Sequence, residues 1–321
     1  MRWCFSIILL LIFFPSCKQQ ETKVKSSGRS GELLIVMREE LWNSSVADAI
    51  QSGLGADQYG LPQSEPLFRL VRVNKNDFTG LLRQHRNILM AEIEGSEPKL
   101  SYQKDIWAQP QIVIKATAPD TVMLEMLLAT QAEQLIKYFN KEELERILAG
   151  YRKLNEKNIE RTIQDEFDLK IVIPEGYYLA SHKVNFMWLR RETPDVSQGL
   201  LIYERPYVDT SDASYNKVIK MRDSLTALYV PGPEENTFMI TEKKFPASFT
   251  PVEINNYYTL EMRGLWRTKG YFMGGPFINY TIIDNKKNRI LTLDGFVFAP
   301  RFDKREYLRQ LEAIIYSAEL Q

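Results

Sequence analysis

Hydrophobic positions along this chain switch between two periods, and the switches lay out its elements. Glu32-Leu33-Leu34-Ile35-Val36-Met37 is an apolar run short enough for a buried strand, and Trp42, Val46 and Ile50 follow at helical spacing up to Gly53. A loop with Gly53, Gly55, Gly60 and Pro62 leads to a second strand over Leu67 to Val73, a short helix with Phe78, Leu81 and Leu82, and a third strand over Asn87 to Ile93. Gln111 to Ala116 predicts another strand, and Asp120 is placed to cap a helix whose apolar face carries Leu124, Leu127, Leu128, Leu135, Tyr138 and Phe139. Asn140 to Glu143 reads as a capping-box variant opening a further helix, with Glu142, Glu143 and Glu145 on a solvated face, and charged turns run on to about Gln164. This is the pattern of an α/β sandwich over residues 32–164, ending in long helices.

From residue 165 to 321 the period is mostly two. Phe167 to Ile173 alternates strictly ahead of a turn at Pro174-Glu175-Gly176. Further strands are expected over Asn185 to Arg191, Leu200 to Glu204, Thr237 to Thr241, Tyr257 to Trp266, Phe277 to Ile283 and Arg289 to Phe298, with a hairpin turn at Asp284 to Asn288. Tyr215, Val218, Ile219, Arg222 and Leu225 mark a helix ending before Pro231-Gly232-Pro233. A final helix starts at a capping-box variant, Asp303 to Glu306, and carries Tyr307, Leu308, Leu311, Ile314, Ile315 and Ala318 on one face. The predicted fold class is α+β: two α/β sandwich domains, the second a mostly antiparallel sheet covered by helices.

The N-terminus follows a different logic. Arg2 and the apolar run Phe5 to Phe14 read as a signal peptide over residues 1–16, too short for a membrane span. Ser16 directly before Cys17 resembles a bacterial lipobox, relaxed by Phe14 where Leu is usual, and predicts lipid attachment at Cys17. The competing reading is an ordinary secretory signal with a chance cysteine. Residues 17–31, rich in Lys, Ser, Gln and Gly, are expected to form a flexible tether. Cys4 leaves with the signal and the Cys17 sulfur would be blocked as a thioether, so thiol nucleophiles, thiolate metal sites and intrachain disulfides drop out.

Composition adds exclusions. The chain of 321 residues balances 41 Lys and Arg against 41 Asp and Glu, which removes bulk-charge binding to nucleic acid or anionic lipid. With 44% hydrophobic residues it is no disordered chain.

Several segments carry a resemblance: Phe186-Met187-Trp188-Leu189-Arg190-Arg191, Met221-Arg222-Asp223-Ser224, Tyr229-Val230-Pro231-Gly232-Pro233, Arg263-Gly264-Leu265-Trp266, Met273-Gly274-Gly275-Pro276-Phe277 and the ending from Gly295 to Ser317. Together they resemble domain-of-unknown-function family 4837, uncharacterised lipoproteins of Bacteroidetes, over nearly the whole mature chain. The family implies an envelope location and no assigned activity. The order of elements after Asp165, with the turn Ile173 to Gly176, is similar to PsbP-like and Mog1-like sandwiches, which act mostly as binding or assembly factors.

Catalytic motifs are sparse. The only histidines are His85, expected to be solvated or capping near a helix end, and His182, expected in a turn. No His-Glu-x-x-His, Gly-x-Ser-x-Gly or phosphate-loop pattern occurs, Gly53-x-Gly55 lacks its third glycine, and Ser224 lies on a predicted helix without a sequence-local histidine. No metal or cofactor is expected. Asp120-Thr121-Val122 and Asp223-Ser224-Leu225 resemble the short O-glycosylation acceptor of secreted Bacteroidetes proteins.

The best constellation is basic and aromatic. Trp188, Arg190 and Arg191 share one strand, Arg222 lies on a helix, Arg263, Trp266 and Arg267 share another strand, and Gly274-Gly275 makes a turn. Lining one groove, they would offer an apolar wall and a guanidinium for a carboxylate or phosphate. A core of tryptophans with arginines stacked over them or paired to Glu192 or Glu261 explains the same residues. The functional expectation is a lipid-anchored envelope protein that binds a protein partner or small ligand, on the outer membrane because Lys18 rather than Asp follows Cys17, and on its periplasmic face. An envelope hydrolase with a carboxylate or serine site between the halves is the alternative.

Overall fold

The computed structural model describes residues 23–321. The expected signal peptide, the expected lipid site at Cys17 and the start of the expected tether lie outside these residues. No helix among the described residues is long and apolar enough to cross a membrane.

In the first half, β1 (Glu32–Met37), β2 (Arg69–Asn74), β3 (Asn87–Ile93), β4 (Lys99–Lys104) and β5 (Ile112–Ala118) form one sheet in the order β2-β1-β3-β5-β4. All neighbours are parallel except the edge pair β4 and β5. Both faces are buried, which is why β1 is apolar from Leu33 onward: Leu33, Ile35 and Met37 face one core, Leu34 and Val36 the other. The first core is closed by α1 (Glu39–Trp42), α2 (Ser45–Gly53), α3 (Thr121–Thr130) and α4 (Ala132–Tyr151). The second is closed only by loops and 3-10 turns carrying Phe78, Leu82, Ile106 and Trp107.

Local chemistry sets several boundaries differently from the sequence pattern. The helix expected through Trp42 and Ile50 breaks at Ser44, whose extended backbone and hydroxyl cap α2 by accepting from Val46 N at 3.3 Å. Asp120 caps α3 as expected, accepting from Met123 N at 2.8 Å. Asn140 opens no new helix, because α4 runs through it unbroken. Strand β4 was not legible, since an exposed edge strand of mixed polar residues carries no apolar alternation.

The second half begins with α5 (Lys157–Phe167), whose Ile163 and Phe167 pack with Leu169, Ile171 and Ile173. The charged turns expected up to Gln164 are thus largely a helix, and it contributes to the core of the second half rather than to the first. The alternation from Phe167 to Ile173 does mark one buried face, but only β6 (Leu169–Lys170) is a strand, paired with β15 (Glu319–Leu320). The large sheet contains β7 (Tyr178–Lys183), β8 (Phe186–Glu192), β9 (Ser197–Pro206), β10 (Phe238–Thr241), β11 (Ser248–Ile254), β12 (Tyr257–Lys269), β13 (Gly274–Asp284) and β14 (Arg289–Phe298). Its order is β10-β12-β13-β14-β9-β8-β7, with β11 also paired to β12, and every pair is antiparallel. One face packs on α5 and α7 (Arg305–Tyr316), the other on α6 (Tyr215–Tyr229). The protein is therefore α+β, with a mostly antiparallel second sheet covered by helices.

The halves are joined by more than the chain. The loop after α2 buries Leu61 in the second core and stacks Tyr59 on Phe245 at 5.1 Å. Glu65 accepts from the backbone N–H groups of Lys304 at 2.8 Å and Arg305 at 2.8 Å, so the N-terminus of α7 is capped from the other half. The expected Asp303 capping box is absent; Lys304 holds the N-cap position without a local side-chain cap.

Residues 23–31 are also ordered, contrary to the expected tether. Ser26 N donates to Gln109 O at 3.1 Å, Ser27 N to Gln84 O at 2.9 Å, and Arg86 N to Ser27 O at 2.9 Å. Backbone bonding on both sides outweighs the flexible composition. Gly28, at a φ of +95°, lies against the His85 ring, where a Cβ would overlap the imidazole.

Candidate functional site

Strand pleating decides which of the predicted site residues meet. On β8, Phe186, Trp188 and Arg190 face α6, whereas Met187 and Leu189 enter the opposite core. On β12 the same rule sends Met262 and Trp266 toward α6. Beyond Tyr229 the helix stops, and Val230-Pro231-Gly232-Pro233 folds back over the sheet, with Val230 O accepting from Met239 N at 3.1 Å and Gly232 N donating to Thr237 O at 2.8 Å. The uncovered end of the sheet becomes a pocket of about 160 Å³.

Trp188, Trp266, Phe296 and Phe298 form its aromatic wall, with Arg190 and Ser197 also lining it. The Trp266 ring meets Phe296 edge-on at 5.8 Å, and its indole N–H donates to Val297 O at 3.2 Å. Trp188 Nε1 is buried with no acceptor among the described residues. The Arg190 guanidinium lies 5.5 Å from the Trp188 ring, pairs with Glu192 and donates from Nε to Ser197 Oγ at 3.4 Å. Gly199 pairs with Phe296 across the strands, and a Cβ there would overlap the Phe296 ring. The sequence reading missed Ser197, Phe296, Phe298 and the Pro231 to Pro233 flap as pocket residues; alternation on β9 and β14 placed the strands but not their neighbours across the sheet.

Four predicted site residues are not pocket residues. Arg222, on α6, is wholly buried against the sheet, with Nε on Asp294 Oδ2 at 2.9 Å, Nη1 on Thr241 Oγ1 at 3.2 Å and its guanidinium 3.9 Å from the Phe277 ring centroid. Burial pushes the Asp294 carboxyl up from its ordinary range, against Arg222 and the Asn279 amide at 2.8 Å. A charge so enclosed has no room for a ligand, so Arg222 holds the core together. Arg263 faces the opposite side of the sheet. It binds Glu261 at 2.8 Å, also pairs with Glu312, and reaches Tyr280 Oη at 3.3 Å. Burial raises the Glu261 carboxyl, but Arg263 and the Tyr280 hydroxyl outweigh it and leave it below the usual range.

Gly274 and Gly275 lie inside β13 rather than in a turn, and the hairpin bends at Gly270, which has a φ of +82°. They are glycines because the strands approach closely: a Cβ at Gly274 would come within 2.6 Å of Trp266 O, and one at Gly275 would overlap Val297 O.

The remaining candidates also move. His85 is buried rather than solvated, with Nδ1 3.0 Å from Asn87 O and Nε2 3.7 Å from Glu32 Oε2 without a hydrogen bond; burial holds its pKa below the ordinary value. His182 lies in β7, not in a turn, and pairs with Glu166. Glu143 is fully buried rather than solvated. It accepts from Asn87 Nδ2 at 2.6 Å, Arg146 Nη1 at 2.9 Å and Ser30 Oγ at 3.1 Å, tying α4 to β3 and to the N-terminal segment. The Ser224 hydroxyl donates to Lys220 O at 2.7 Å within its own helix. Ser224 also lines an open groove of about 750 Å³ between α6 and β10, where Asp223 accepts from Thr241 N at 2.7 Å. No group of three metal-ligating side chains occurs among the described residues.

Comparison with known proteins gives two family matches. The family described as domain of unknown function (DUF4837) matches residues 156–317, half of the chain. A second, domain of unknown function (DUF8532), matches residues 26–152. No curated protein matches the sequence. Among solved structures the chain is similar to the Saccharomyces cerevisiae Ran-binding protein Mog1p, at 11% identity over 47% of this chain and 89% of that one, with a TM-score of 0.33. It is likewise similar to a point mutant of Mog1, at 10% identity over 47% of this chain and 90% of that one, with a TM-score of 0.32.

Proposed function

The chain belongs to the family described as domain of unknown function (DUF4837), and we propose that it is a non-catalytic binding or assembly module, held at the cell envelope by lipid on Cys17. The observation that carries the reading is the open aromatic pocket beyond α6. At about 160 Å³ it has room for one large apolar side chain or a small ligand, not for an extended substrate. Its polar equipment is a guanidinium at Arg190 and a hydroxyl at Ser197, which suits a carboxylate or carbonyl next to the apolar group. The partner is an envelope protein presenting such a side chain, or a small molecule of the same chemistry, and nucleic acid is not among the candidates. The location that goes with this reading is the periplasmic face of the outer membrane.

The hydrolase alternative gains little from the carboxylates near the seam of the two halves. Glu261 and Glu312 meet there, but both are bound to Arg263, which favours the ionised form of Glu261 over a protonated acid.

The test uses a photo-crosslinking residue in place of Met273, which lines the pocket, on the full-length protein in cells, with Ser197→Trp as the pocket-filling variant and folding checked by denaturation. A reproducible adduct that Ser197→Trp abolishes supports the reading. Turnover of an envelope substrate by purified protein, unchanged by Ser197→Trp, would overturn it.

A further inference from the structure

The ordered N-terminal segment fixes where any anchor at Cys17 leaves the folded body. Val24 O already accepts from Gln109 N at 2.9 Å, and Lys23 Nζ donates to Asp105 O. Cys17 and Lys23 are six residues apart, a span of at most about 20 Å. The exit point is the loop-covered side of the first sheet, where the 3-10 turn Gly80–Gln84 and residues 105–109 flank the segment. Two apolar side chains are exposed beside it, Val24 and Leu81. Lys23, Lys25 and Arg83 are exposed there as well, and none of the three pairs with a described carboxylate within 4.0 Å. Asp77 and Asp105 are the carboxylates of the same segments, so the cations outnumber them.

We propose that this side of the first domain lies on the bilayer, with Val24 and Leu81 entering its interface and Lys23, Lys25 and Arg83 meeting anionic headgroups. The proposal rests on the lipid-anchor reading and goes beyond it, because a flexible tether of the same length would impose no orientation. The occupant is a lipid surface, since the short reach from Cys17 brings the bilayer to this side first.

The experiment places one environment-sensitive fluorophore on the full-length lipidated chain in phosphatidylethanolamine and phosphatidylglycerol vesicles, at Leu81→Cys, Val184→Cys or Phe272→Cys. All three positions are exposed, and the last two lie on the second domain. The expected result is a blue-shifted emission quenched by spin-labelled lipid at position 81, and neither effect at 184 or 272. Introducing Lys25→Glu and Arg83→Glu should weaken the quenching at 81. Water-like emission at 81 on a chain whose acylation is confirmed by mass would overturn the orientation and leave the anchor standing. Quenching at 272 instead would put the hairpin tip on the membrane and also overturn it. An unacylated mature chain would sink the anchor reading itself.

Discussion

The two faces of the antiparallel sheet solve the same packing problem with different outcomes. Against α5 and α7 the sheet is sealed along its length, and the loop after α2 adds Leu61 to the same core. Against α6 it is sealed only as far as Tyr229, and the remaining end opens into the aromatic pocket. Each face also holds an arginine, fully buried on the open face and half-buried on the sealed one. On the sealed face Arg263 lies between Glu261 and Glu312; on the open face Arg222 has Asp294 alone as its ionic partner. A sheet face covered by a single helix thus keeps a buried interior and still leaves aromatic surface open at its uncovered end.

The largest expected effect comes from breaking the arginine pair of the open face. Asp294→Ala leaves a buried guanidinium without its counter-charge and should cost about 3–5 kcal/mol in chemical denaturation. Combining it with Arg222→Met should recover much of that loss, since the penalty comes from the unpaired charge. Gly275→Ala, which drives a Cβ into the Val297 carbonyl, should cost about 1–3 kcal/mol and disturb the Trp266 indole bond to the same carbonyl. Glu65→Ala should cost about 1–2 kcal/mol and speed amide exchange at Lys304 and Arg305, because it uncaps α7. Unchanged exchange there would show that Glu65 does not hold the halves together.

Acidity separates the two faces by sign. The Glu261 carboxyl is held below its usual value, so its stabilising contribution is present above that value and is lost as pH falls through the folded pKa. Asp294 is pushed up, so its contribution is present at low pH and is lost as pH rises above the ordinary carboxylate range through its folded pKa. Denaturation between about pH 3 and 7 should therefore show Glu261→Gln removing part of the acid-side loss, and Asp294→Asn removing a decline on the other side. The smallest expected effect on stability is that of Ser197→Trp, within about 0.5 kcal/mol, although it fills the mouth of the pocket.

Much of this organisation is legible in the sequence where one residue type has one physical reason to be there. The buried run of β1, the Asp120 cap and the pleat that puts Phe186, Trp188 and Arg190 on one face are of that kind. Long-range partners are not. Arg222 on its helix and Arg263 on its strand both read as candidates for one groove, and only the packing of α6 and α7 on opposite faces of the sheet sends one to Asp294 and the other to Glu312. Glu143 sits in a charged helix that reads as solvated, and its burial depends on Asn87 and Ser30, each more than fifty residues away. The order of residues 23–31 depends likewise on carbonyl and amide partners at Gln84, Arg86 and Gln109, which composition does not encode.

The most direct test of the central claim is to place the same photo-crosslinking residue at Phe298, on the open end of the sheet, and at Tyr316, on the sealed face, in the full-length protein in living cells. The account predicts a specific adduct from position 298 that Ser197→Trp abolishes, and none from 316. Equal adducts from both positions, or an adduct at 298 indifferent to Ser197→Trp, would contradict it.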